Sequence, residues 1–295
     1  MGRLRKIIQG LAAVAANSGF LLGQTRIDRI YQGPLKQFCT PGLNCYGCPY
    51  AINACPLGSL QHFIGYGKYH FSLYVAGFLL FFGALAGRLI CGWICPFGLV
   101  QDLLHKIKTP KFRLPRPLRY LPWLALLGLV ILVPLLFGSP GFCRFVCPVG
   151  SLQGGVPFGI FSSQVRSLIG NLYFFKISLL VFFLVGSVFI FRLFCRIACP
   201  LGLIYGFFNR IALFGLSFDR LRCTECGLCE KACPVDLSPQ AGDYLSGACI
   251  RCLNCRDVCP QNCFEFGPLP GKTTIQRNNL GKPEESISPV GKISP

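Results

Sequence analysis

Acid is scarce in this chain. Of 295 residues only 11 are Asp or Glu, and all charged residues together make 14%. So little charge over so long a chain excludes an ordinary soluble globular protein. With 52% hydrophobic residues and a mean hydropathy of +0.52, the composition belongs to the membrane class. Histidine occurs three times, as His62, His70 and His105, with no two expected at one depth on facing spans. That leaves haem without a bis-His site. No Gly-rich phosphate loop of the P-loop or dinucleotide type is present, which sets nucleotide chemistry aside. The formal charge of +18 could point to nucleic acid, but the basic residues gather at the ends of apolar runs rather than along one face. Membrane lipid, not nucleic acid, is the partner that this pattern fits. Trp93 and Trp123 near span ends need no role beyond an interfacial belt.

What the chain has in excess is cysteine, with nineteen thiols. In a chain this long and apolar they fit metal or cluster ligation better than a disulfide framework. Eight of them fall in CTECGLCEKACP and CIRCLNCRDVCP, the C-x2-C-x2-C-x3-C-P run written twice. Three closely spaced thiolates hold one face of a 4Fe–4S cubane, and the fourth, before Pro, crosses to the other cluster. The spacing assigns Cys223, Cys226, Cys229 and Cys259 to one cluster, and Cys249, Cys252, Cys255 and Cys233 to the second. A zinc knuckle would need only four ligands in two pairs. Cys263 lies outside the pattern and reads as a buried small hydrophobe.

The remaining thiols stand mostly in a repeat. CGWICPFG, CRFVCPVG and CRIACPLG begin at Cys91, Cys143 and Cys195, each 52 residues after the last. One CxxxCP pair supplies two ligands where a cubane needs four, so pairs must meet in space. An altered fourth copy, CTPGLNCYGCPYAINACPLGSLQ, carries Cys39, Cys45, Cys48 and Cys55.

A bilayer span takes roughly 20 apolar residues, and spans are expected near 7–23, 71–90, 120–138 and 172–191. The first reads as a retained signal anchor rather than a cleaved signal peptide. Residues 154–170 are interrupted by Gln164 and Arg166 and read as not crossing. Lys106, Lys108, Lys111, Arg113, Arg116 and Arg119 mark one connection as cytoplasmic, which places the N-terminus and everything after Arg192 on the same side. Cys91, Cys95, Cys195 and Cys199 then share the inner face as one cluster site. The outer site is expected from Cys48, Cys55, Cys143 and Cys147. Its rival is Cys39, Cys45, Cys48 and Cys55, and disulfide formation weighs equally with ligation for Cys39 and Cys45. Gln101, Asp102 and His105 could line a quinone pocket beside the inner site, but a solvated helix face is the plainer reading.

The expected fold is an α-helical integral membrane protein of about four transmembrane helices with a C-terminal α+β two-cluster ferredoxin domain. Its domains are 1–218 (membrane), 219–267 (ferredoxin) and 268–295 (an extended tail). Cofactors would be four 4Fe–4S clusters, at least two, with quinone as an option.

At CGWICPFG and CRIACPLG followed by the double ferredoxin run, the chain resembles the membrane polyferredoxin family, which includes NapH-type quinol-dehydrogenase subunits and the C-terminal half of NosR-type proteins. The resemblance covers roughly residues 70 to 265. It implies four spans, cytoplasmic CxxxCP motifs and electron transfer between a quinol pool or cytoplasmic donor and a redox partner outside. The third CxxxCP at Cys143 and the N-terminal block are additions to that pattern. They favour a chain in a bacterial or archaeal cytoplasmic membrane that conducts electrons on its own clusters to redox partner subunits, such as an extracytoplasmic flavoprotein, without a substrate-converting site of its own. The alternatives are a NapH-like quinol dehydrogenase subunit and a metalloprotein assembly factor.

Overall fold

The structure, a computed structural model, describes residues 2–24, 26–66 and 73–268. The repeated octapeptide dictates a repeated local fold. Its first cysteine lies in a single-turn helix: α4 (Leu89–Trp93), α7 (Gly141–Phe145) or α10 (Leu193–Ile197). Two N–H groups then fold back onto one carbonyl in each copy. Ile94 and Cys95 donate to Ile90, Val146 and Cys147 to Phe142, and Ala198 and Cys199 to Phe194. The second cysteine takes extended geometry at the N-cap, and Pro at N1 launches the next helix with its fixed φ and no donor to waste. Helices α5 (Pro96–Leu104), α8 (148–161) and α11 (Pro200–Phe207) all start this way, and α2 (Pro56–Tyr66) starts likewise after Cys55.

Four further helices run alternately between two ends of the molecule. Helix α1 (Gly2–Ala16) starts where Arg5 meets Asp102 and ends where Asn44 bonds the Ala16 carbonyl. Helix α3 (Leu73–Ala86) starts where the Tyr74 hydroxyl accepts the Cys39 N–H and ends at Ala86, whose carbonyl takes Arg251. Helix α6 (Pro117–Phe137) rises from Arg119, beside Asp236, to Gly138 against Gly65. Its middle, Ala125–Leu132, widens to π geometry ahead of Pro134, which supplies no N–H. Helix α9 (Asn171–Phe189) descends from Lys176 at the Cys143 carbonyl to Ser187 at Gln101.

Among the described residues α6 and α9 are long and apolar enough to cross a membrane, and 22% and 17% of their apolar windows are buried. By length and composition, two of the four expected spans, those near 120–138 and 172–191, are met. The expected span 71–90 begins outside the described residues and stops at Ala86, because Gly87 turns left-handed (φ 52°) and Arg88 must enter the interior. The expected anchor 7–23 is the end of α1 followed by a 3-10 turn, Ser18–Leu22, and α1 buries Arg5 and Gln9 against the fold while Leu4, Ile7, Leu11 and Val14 face out. The 154–170 stretch is short helices, including Ser163–Ser167, and none passes as a span.

Phe194 is fully buried at the centre of the core, with Phe97, Phe142 and Phe183 rings 5.1–6.4 Å away. Beyond α11 the chain forms a separate lobe closed by its own ends. Strand β1 (Phe214–Phe218) pairs antiparallel with β2 (Phe264–Pro268), Leu216 opposite Phe266. The tail expected over 268–295 lies, from 269 on, outside the described residues.

Candidate cluster-binding sites

Four groups of thiols emerge, and none of the nineteen cysteines is disulfide-bonded. In the lobe, Cys223, Cys226, Cys229 and Cys259 line one small cavity together with Cys263. Cys233, Cys249, Cys252 and Cys255 line another. The crossing of Cys233 and Cys259 between the two halves is thus present in the geometry. Sulfur acceptors are supplied with backbone donors: Glu225 N–H to Cys223 and Cys263 N–H to Cys259, each at 3.4 Å. Cys263 itself is buried among Phe218, Phe264 and Tyr244. Burial pushes Cys249 up to about 12, so an ionised ligand there needs the compensating charge of bound iron.

At the end of the helical body nearer the lobe, Cys91, Cys95, Cys195 and Cys199 converge, all buried. This lower site is built with a near two-fold symmetry. Arg88, three residues before Cys91, donates to the Cys195 carbonyl at 3.1 Å, and Arg192, three before Cys195, donates to the Cys91 carbonyl at 2.6 Å. A Cβ on Gly202 or Gly98 would sit 2.8 or 3.2 Å from those guanidinium nitrogens, so the Gly of each CPxG leaves room for the arginine of the other repeat. Asp102 holds Arg192 by two hydrogen bonds (2.6 and 2.7 Å) and Arg5 by one (3.2 Å). Gln101 donates to Cys195 Sγ at 3.1 Å, and Gly202 N–H to Cys199 Sγ at 3.4 Å. Gln101 and Asp102 are therefore interior residues, which corrects their reading as a solvated helix face: a lone carboxylate between two buried guanidiniums has no reason to reach water. His105 bonds the Ser187 carbonyl at 3.2 Å instead of facing a pocket with them.

The upper site joins Cys45, Cys55, Cys143 and Cys147, which lie within electrostatic reach of one another and line a cavity of about 860 Å³. Here the structure departs from the sequence reading at one residue. Cys48 points to Asn17 Oδ1 at 3.5 Å and does not line the cavity. Cys39 also lines it, 3.9 Å from the Ser59 hydroxyl. Cys45 is fixed because its N–H donates to Gln153 Oε1 at 2.7 Å. Gln61 makes the reciprocal contact, donating to Cys143 Sγ at 3.2 Å and accepting the Phe142 N–H at 2.9 Å. Gln61, Gln101 and Gln153 all stand six residues after a CP cysteine, a repeat legible in CPLGSLQ, CPFGLVQ and CPVGSLQ once its purpose is known. So is RLIC at Arg88 and RLFC at Arg192, against PGFC at Pro140. That difference marks which repeats pair.

The groups are in series. Gly42 packs so closely that a Cβ there would lie 2.9 Å from Cys95 Cα, and Tyr205, wholly buried, donates to the Pro41 carbonyl at 3.0 Å. Three residues then lead from Gly42 to Cys45, a reach of at most about 11 Å. On the other side, Trp93 donates to the Arg251 carbonyl at 3.0 Å, between Cys249 and Cys252. Arg251 is buried and donates to the carbonyls of Ala86, Phe214 and Asn209.

Among the described residues no His, Cys, Asp or Glu side chains cluster as for a single metal ion. Sulfur quartets with N–H donors fit a cubane, and this defines an iron–sulfur, ferredoxin-type protein. A 4Fe-4S binding domain family matches residues 53–73, 69–115, 121–170 and 173–218, and a second 4Fe-4S binding domain family matches 216–237. The chain belongs to the membrane-type polyferredoxin family, and it is related to iron–sulfur electron-transfer proteins. It is 30% identical to an uncharacterized protein of Methanocaldococcus jannaschii over 62% of its own length and 73% of that chain. It is 31% identical to the ferredoxin-type protein NapH of Haemophilus influenzae over 64% of its length and 65% of that chain. With the regulatory protein NosR of Pseudomonas aeruginosa it shares 27% over 60% of its length but 25% of that chain. No solved structure matches.

Proposed function

We propose that the chain is an integral membrane electron-transfer subunit holding four 4Fe–4S clusters between a cytoplasmic ferredoxin lobe and the opposite membrane face. The ligands are the two lobe quartets, the lower quartet Cys91, Cys95, Cys195 and Cys199, and the upper quartet Cys45, Cys55, Cys143 and Cys147. Each bound cluster supplies one-electron chemistry; the protein's part is to keep the sites adjacent, dry and provided with N–H donors. The observation that carries this reading is the chain of contacts from Cys45 through Gly42 to Cys95, and from Trp93 to the Cys249–Cys252 loop. Membrane placement rests on α6 and α9 with their outward-facing Leu, Val and Phe, and on Lys106, Lys108, Lys111 and Arg113 at the lobe end, the side that the positive-inside rule makes cytoplasmic. Helices α1 and α3 complete four crossings in this reading. The test is iron and acid-labile sulfide per chain in anaerobically purified protein, with four of each expected for each of four clusters. Metal confined to the lobe quartets overturns it.

One observation favours a second reading, a quinol dehydrogenase. The upper cavity is largely apolar and carries His62, Tyr74 and Lys176 beside the thiols, the few polar groups on an apolar wall that a quinone headgroup needs. A quinone analogue that blocks reduction of the clusters by quinol, and is itself without effect after His62→Phe, supports it.

A further inference from the structure

A second cavity, of about 440 Å³, opens at the foot of α6, where the helical body meets the lobe. It is lined by Arg88, Arg119, Arg196, Arg210 and Ser246, and no Asp or Glu lines it. Arg196 is paired with Asp236 at 2.9 Å, and Arg119 donates to the Asp236 carbonyl at 3.4 Å. Among the described residues no carboxylate pairs with Arg88 or Arg210. Two donors are stranded in the wall. Arg88, 7% exposed, has its Nε shut off from solvent without a hydrogen-bond partner, and the Ser246 hydroxyl is in the same condition. The outer rim is apolar and aromatic: Trp123 and Phe207 stand edge to face at 5.1 Å, both exposed, and the apolar flank of α6 begins there.

A floor of guanidiniums calls for an oxyanion with several acceptors, which phosphate provides and a carboxylate provides less fully. An amphipathic rim beside an apolar helix is the setting in which basic pockets take lipid headgroups. We propose that this cavity binds a phosphate-bearing anion, either the headgroup of an anionic phospholipid or a soluble phosphate. The inference rests on the cavity alone and holds whether or not electrons pass through the neighbouring thiols.

The test uses the full chain, purified in detergent with its clusters, and measures retention of radiolabelled phosphatidylglycerol, phosphatidylcholine and inorganic phosphate in separate arms. Saturable retention of phosphatidylglycerol over phosphatidylcholine assigns a lipid source, and saturable retention of inorganic phosphate assigns a soluble one. In either case Arg210→Gln, at an exposed position, weakens binding about tenfold, the scale of one charge-assisted hydrogen bond, and Arg119→Gln with it weakens binding further. Iron content and elution volume confirm that the variants are folded. The proposal is overturned if neither phosphatidylglycerol nor phosphate binds saturably, or if binding is unchanged in the folded variants.

Discussion

Arg88 and Arg192 occupy one position in two repeats, and their surroundings give them different work. Arg192 is fully buried and clamped by Asp102, which also holds Arg5. Removing the carboxylate leaves two buried cations facing each other. Asp102→Asn is expected to lower stability by about 3–5 kcal/mol, read by thermal or denaturant unfolding, whereas removing a surface pair such as Arg222–Asp219 changes little. Among the described residues Arg88 has no carboxylate partner, and it lies against the Cys91–Cys195 pair. A positive charge there favours the reduced, more negative state of a bound cluster. Arg88→Gln is expected to lower one midpoint potential by tens of millivolts at unchanged iron content, in an EPR-monitored titration, about 59 mV being tenfold for one electron. Gln101→Leu, which removes an N–H donor from Cys195 Sγ, shifts the same signal the same way.

Among the elements, the segment that carries the most is not regular. Residues 39–45 dip from the upper end until Gly42 touches Cys95, and no side chain fits at that contact. Gly42→Val is expected to push the segment outward, slowing electron exchange between the upper and lower sites in freeze-quench EPR while both clusters remain. The lobe is docked by Asn209, buried, whose amide donates to the Ser246 and Cys249 carbonyls at 2.8 Å and accepts the Arg88 N–H at 3.0 Å. Asn209→Leu leaves those carbonyls without a partner at about 1–3 kcal/mol each. Hydrogen exchange across 246–252 should rise while the lobe's own sheet stays protected.

Over the whole molecule, α1, α3, α6 and α9 alternate in direction, and the lobe, the 105–119 connection and the N-terminus share one end. In sealed vesicles, cysteine-specific labels at Lys108→Cys and Leu221→Cys should react from one side, and a label at Arg29→Cys from the other. Reaction of all three from one side removes the crossing arrangement. Cys143→Ser should delete one cluster signal and leave the lobe signals intact, since the lobe quartets share no ligand with the upper site.

The grouping of the lobe thiols was legible because C-x2-C-x2-C-x3-C-P is a local pattern: the chain needs only to turn about one core, and spacing decides which thiols can do so. That Cys45 lines the upper cavity and Cys48 does not was hidden, because Gln153, which accepts the Cys45 N–H, is more than a hundred residues away and only packing brings the two together. Asp102 read as a surface residue because nothing near it in sequence announces Arg5 or Arg192. The amino-acid sequence by itself determined the chemistry and the local geometry of each thiol pair, since those depend on neighbouring residues alone. Which pairs meet, which arginines stand behind them and how close one quartet comes to the next were decided by tertiary structure, because helix packing sets distances that no spacing along the chain encodes.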